Sequence, residues 1–72
     1  MKIQYRDQRG WKYKVMGGLG ESTYKGRFNK PGKTGWHGLT RLPWRNTEEE
    51  AQADLDAYAL KKGWIKEEIE NE

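Results

Sequence analysis

The sequence predicts an α+β domain in which a three-stranded antiparallel β-sheet packs against one C-terminal α-helix, in the order β-β-β-α. Three observations carry this prediction. Trp11, Tyr13 and Val15 alternate with Lys12 and Lys14, a period of two that suits a half-buried strand. Gly17-Gly18-Leu19-Gly20 and Pro31-Gly32 punctuate the first half as turns. Thr47-Glu48-Glu49-Glu50 opens a run whose apolar residues, Ala51, Leu55, Tyr58 and Ala59, fall on one helical stripe.

The first strand is expected over residues 8–16. The three glycines after it permit the positive φ of a hairpin turn. The second strand is expected over residues 22–29, with Tyr24, Gly26 and Phe28 on one face and Thr23, Lys25, Arg27 and Asn29 on the other. Gly26 leaves a gap on the apolar face that a bulky neighbour such as Trp can fill. Residues 29–35 form a loop, with Pro31 and Gly32 at the centre of a type II turn. The third strand is expected over residues 36–42. Trp36, Gly38, Thr40 and Leu42 share one parity there, and His37, Leu39 and Arg41 the other. Pro43 ends it, because proline cannot donate to a ladder.

The helix is expected from a Thr47 cap to about Lys62. In a capping box Thr47 accepts from the amide of Glu50 and Glu50 reaches back. The three carboxylates meet the positive end of the helix dipole, and Lys61 and Lys62 meet the negative end. Gly63 takes the left-handed position that stops the helix, with Trp64 next to it and placed to cover Ala59. Residues 1–64 thus read as one domain, and residues 65–72, IKEEIENE, as an acidic tail that frays. The expected core is Trp11, Tyr13, Tyr24, Phe28, Leu55, Tyr58 and Ala59.

A chain of 72 residues buries only about 60% of its unfolded surface, so each large side chain counts. Cysteine is absent, which excludes disulfides and thiolate metal sites. The four Trp, four Tyr and one Phe must therefore supply the core. No apolar run is long enough to span a membrane and no leader pattern is visible; with the absent cysteines this points to the cytoplasm, and a monomer is expected. Gly32-Lys33-Thr34 resembles the end of a phosphate loop, but Arg27 stands where its first glycine belongs. His37 is the single histidine, too little for a zinc site and without a visible orienting partner for catalysis. No enzyme activity, metal or cofactor is expected.

The charge is unevenly spread. Residues 1–45 carry eleven Lys and Arg against Asp7 and Glu21, whereas residues 46–72 carry three Lys against nine acids. Such asymmetry points to an anionic partner for the basic half, or to neutralisation of the sheet by the helix. If the apolar strand faces lie under the helix, the open face presents Lys12, Lys14, Lys25 and Arg27, and by parity His37 and Arg41. Lys30, Lys33 and Arg45, on loops, complete a set suited to phosphates and guanine edges. Nucleic acid, with duplex DNA favoured, is the expected partner. The other reading is a protein-interaction module, an adaptor or inhibitor, built on exposed Trp, Tyr and Arg.

The order of three strands and a helix, with a cationic sheet and the helix start Asn46-Thr47-Glu48-Glu49-Glu50-Ala51, resembles the plant-type AP2 domain. It resembles equally the N-terminal arm-site DNA-binding domain of tyrosine recombinases from phages and conjugative transposons. The resemblance covers about residues 5–64, although Leu39-Thr40-Arg41-Leu42-Pro43-Trp44 is typical of neither family. It implies a sheet laid in the major groove and a stand-alone module from a phage or mobile element.

Overall fold

The computed structural model describes residues 2–17 and 23–69. Its strands are β1 (Lys2–Arg6), β2 (Lys12–Met16), β3 (Lys25–Asn29), β4 (His37–Gly38) and β5 (Ile65–Ile69), and its helix is α1 (Glu48–Lys62). They form one antiparallel sheet in the spatial order β4-β3-β2-β1-β5, and α1 packs across β2 and β3. The α+β class, the antiparallel sheet and the single helix are as expected. The strand count is five rather than three, and the helix is not C-terminal. The glycine turn after β2 lies outside the described residues.

Both unexpected strands come from the chain's ends. In β1, Ile3 and Tyr5 alternate with polar residues, the same period-two signal as β2, and its register with β2 pairs Tyr5 with Tyr13. Residues 65–69 were expected in a frayed tail, yet they pair along all of β1, from Lys2 opposite Ile69 to Arg6 opposite Ile65. Glu67 fixes that register by accepting from Gln4 at 3.1 Å and pairing with Arg6 at 2.9 Å. The sheet's outer edges are a two-residue strand and a strand reading IKEEI. Shortness and charge both discourage edge-to-edge association.

β4 is shorter than expected. After it the Leu39 amide still donates to the Gly26 carbonyl, but the chain then turns, with the Leu42 amide bonded to the Leu39 carbonyl. The turn delivers Leu42 into the gap over Gly26. A Cβ on Gly26 would lie 2.9 Å from Leu42 Cδ1 and 3.2 Å from Leu55 Cδ1. Two leucines therefore occupy the space expected to admit a tryptophan.

The helix ends behave as the sequence indicates. Thr47 Oγ1 accepts from the Glu50 amide at 3.2 Å, and its hydroxyl meets the Glu50 carboxylate at 3.1 Å. Glu50 thus reaches back to the Thr47 hydroxyl rather than to its amide. Gly63 has φ 75°, and the amides of Gly63 and Trp64 both donate to the Ala59 carbonyl. Trp64 is thereby turned onto the sheet, stacking on Tyr13 at 3.6 Å and meeting Tyr58 edge-on at 5.3 Å.

The buried core is Tyr5, Tyr13, Val15, Leu42, Ala51, Leu55 and Ala59. Of the expected core, Trp11, Tyr24, Phe28 and Tyr58 are only partly buried around it. Trp11 and Phe28 stack on each other at 5.5 Å. Polar anchors complete the core. The Asp7 carboxylate accepts from the Tyr13 hydroxyl at 2.6 Å, from the Arg9 side chain, and from the amides of Arg9 and Trp11. Burial by itself would raise the Asp7 carboxyl, but these four donors outweigh it and hold it below its ordinary value. The Tyr5 hydroxyl donates to Asp56 of the helix at 2.7 Å. Burial first, and then the neighbouring carboxylate, pushes both Tyr5 and Tyr13 up to about 12.

Two outcomes follow. Leu55 is fully buried, so Leu55→Ala should cost about 2–5 kcal/mol, measured by urea denaturation. For a chain of this length total stability is roughly 4–11 kcal/mol, so the variant should approach unfolding. The two tyrosines have folded pKa values above their unfolded value. Their contribution is intact below about pH 10 and is lost as pH rises toward about 12, where the unfolded chain has released protons the native state still holds. Denaturation curves at about pH 8 and pH 11 should show this fall, and Tyr13→Phe should show a smaller one.

Candidate nucleic-acid interface

Strand parity and register sort the candidate residues. Tyr13 lies opposite Phe28, and Val15 opposite Gly26, so these residues face the helix. Their neighbours Lys12, Lys14, Lys25 and Arg27 therefore share the open face, where Lys14 lies directly across from Arg27 and Gln4. Arg6 joins them from β1, opposite Lys12. Among the described side chains the open face thus gathers five cations and one carboxylate, Glu67, already paired with Arg6. No ion pair among the described residues engages Lys12, Lys14, Lys25 or Arg27.

The remaining expected residues lie elsewhere. His37 pairs with Phe28 and so sits on the helix side, its ring 5.6 Å from that of Phe28. The parity expected from a long third strand is thereby reversed. Arg41 is exposed in the turn after β4 and, with Lys30, Lys33 and His37, borders a cavity on the helix side. Lys30 also lies over the Trp11 ring at 5.2 Å. Arg45 is held by the helix, its guanidinium bonded to both Asp54 oxygens at 2.7 and 3.1 Å. That pairing raises Arg45 above its ordinary value, through the hydrogen bond first and the Asp54 charge second.

Two tryptophans belong to the open face. Arg45 and Tyr24 exchange backbone hydrogen bonds as an isolated bridge, and Arg45 points to the helix. Alternation then sends Trp44 to the other side, where its ring lies 4.7 Å from Lys25 Nζ and 5.4 Å from the Arg27 guanidinium. Trp36 precedes the helix-facing His37 and lies 4.8 Å from Lys14 Nζ. Cation–π attraction holds each ring against a charge without neutralising it. Trp44 is 50% exposed, whereas Lys25 beneath it is 8% exposed, its methylenes running along Gly38. Lys25 thus contributes field more than contact. The Arg27 Nε is buried and makes no hydrogen bond. Sequence reasoning missed Arg6, because β1 was not recognised, and left the side of Trp36 and Trp44 undecided.

Of the four tryptophans, Trp64 stacks on the core ring of Tyr13, Trp11 stacks on Phe28 with Arg9 and Lys30 over its ring, and Trp36 and Trp44 lie against the cations of the open face. Acrylamide quenching of single Trp→Phe variants should reflect this division. Trp44→Phe should remove the most accessible emission, and Trp64→Phe the least accessible.

No protein-family model matches the chain, and no curated protein or solved structure matches it.

Proposed function

We propose that the chain is a binding module whose open sheet face takes nucleic acid. The observation that carries this reading is a face whose described side chains include five cations and one carboxylate, with Trp36 beside Lys14 and Trp44 beside Lys25 and Arg27. Cations tracking a phosphate backbone beside aromatic rings that receive bases are the two elements of a single-strand platform. In a duplex the base faces are already stacked on one another. The half-exposed Trp44 ring therefore favours unpaired bases over the duplex groove that the sequence alone suggests.

A second reading has an observation of its own. Trp44, half exposed beside Arg27, is the kind of pair that dominates protein–protein contacts. It predicts a protein partner lost on Trp44→Ala with little dependence on salt.

The test is fluorescence polarisation with one labelled oligonucleotide, single-stranded and as a duplex, at about 50 and 200 mM salt. The single strand should bind more tightly, and Lys14→Gln should lower the salt slope by about 0.7. Trp44→Ala should weaken binding by about 1–3 kcal/mol while leaving the slope unchanged. Tighter duplex binding that is indifferent to Trp44→Ala would restore the groove reading. Absence of binding to either form at low salt, or unchanged affinity in Arg27→Gln and Trp44→Ala, would refute the nucleic-acid reading.

A further inference from the structure

Three cations and three rings that the open face does not use meet on the opposite side of the sheet. There the end of β3, the strand β4, the loop of residues 30–35, the turn after β4 and Tyr58 of the helix border an open cleft of about 680 Å³. Its size lies within the roughly 300–1,000 Å³ of small-molecule sites. Phe28, Leu39 and Tyr58 give it apolar walls, and Lys30, Lys33 and Arg41 line it with positive charge. Among the described residues no carboxylate lines it and no ion pair engages those three cations. His37 stands between the two kinds of lining, with its ring tilted 41° to that of Phe28.

From this lining we infer a second binding site, distinct from the open face, for a small planar aromatic anion. The rings of Phe28 and Tyr58 supply surface for a flat apolar body, and three cations in no ion pair among the described residues favour a negative group on it. A neutral aromatic would leave the cations without a partner, and a small inorganic anion would leave the apolar walls uncovered. A free aromatic carboxylate and a mononucleotide share the required chemistry. The site lies across the sheet from Lys14 and Arg27, so it stands or falls independently of nucleic-acid binding.

The experiment is titration of the ¹⁵N-labelled full chain, followed by amide correlation spectra. The ligands are naphthalene-2-carboxylate, adenosine 5′-monophosphate and the neutral naphthalene-2-carboxamide, each added separately. Shifts of the Gly35, His37, Leu39 and Arg41 amides with either anion support the site, and the tighter anion identifies its source. The carboxamide should bind about tenfold more weakly than the carboxylate, the worth of one charge-assisted contact. Arg41→Gln and Lys33→Gln should each weaken the anion about tenfold and leave the carboxamide unchanged. The spectra themselves report whether each variant is folded, and both cations are exposed, so both variants should fold. Silence with both anions at millimolar concentration overturns the inference. So do shifts centred on Lys14 and Arg27, or a carboxamide that binds as tightly as the carboxylate.

Discussion

A missing methyl group organises this molecule. Gly26 has no Cβ, and in the space one would occupy lie the tips of Leu42 and Leu55. Leu55 can then descend to complete burial, which seats the helix on β2 and β3. Leu42 can reach the same place only if the chain leaves the sheet after Gly38 and turns. That turn brings the next segment back alongside Tyr24, where Arg45 pairs with it and Trp44 is cast onto the far side. Close packing on the covered face thus determines what the open face displays. An added methylene in such a site costs about 1–3 kcal/mol, so the constraint is energetic as well as geometric.

Ring stacking does for this chain what disulfides do for many domains of its size. Tyr13 is the meeting point. Its hydroxyl donates to the Asp7 carboxylate that closes the β1–β2 turn, and its ring lies under Trp64, just past the helix stop. One side chain therefore ties a turn, a central strand and the helix C-terminus together. Tyr5 repeats the device one strand over through Asp56. The polar ends of these rings are satisfied inside the fold, so the aromatic surface is buried without orphaned hydroxyls.

What was legible in the sequence follows from the range of the forces involved. The helix, its Thr47 cap and its Gly63 stop are local, and they stand where the residues indicate. Lys12, Lys14, Lys25 and Arg27 were legible as one face because alternation within a strand needs no partner. The side of His37 and Arg41 was not legible. It depends on the register between β3 and β4 and on where β4 breaks, and the break answers to Gly26, eleven positions upstream of His37. β5 was illegible for the same reason in stronger form. Glu and Lys are poor strand formers, and residues 65–69 become a strand only through pairing with β1 across almost the whole chain. The cavity combines both kinds of signal, since its loop cations were visible in the sequence and their convergence with Tyr58 was not.

The pairing of β1 with β5 also gives the domain a mechanical character. Lys2 and Ile69 occupy the same rung, at the end of the ladder where β1 begins and β5 ends. Tension applied through those two residues pulls the strands apart sideways. The rungs then open one after another rather than sharing the load, as they would if the strands were made to slide. The first to open is Lys2 with Ile69, and the ion pair of Arg6 with Glu67 lies deeper in the ladder. Under tension the β1–β5 ladder should therefore peel from its outer end at low force, while the helix-covered β2–β3 pair stays closed until the peeling reaches it.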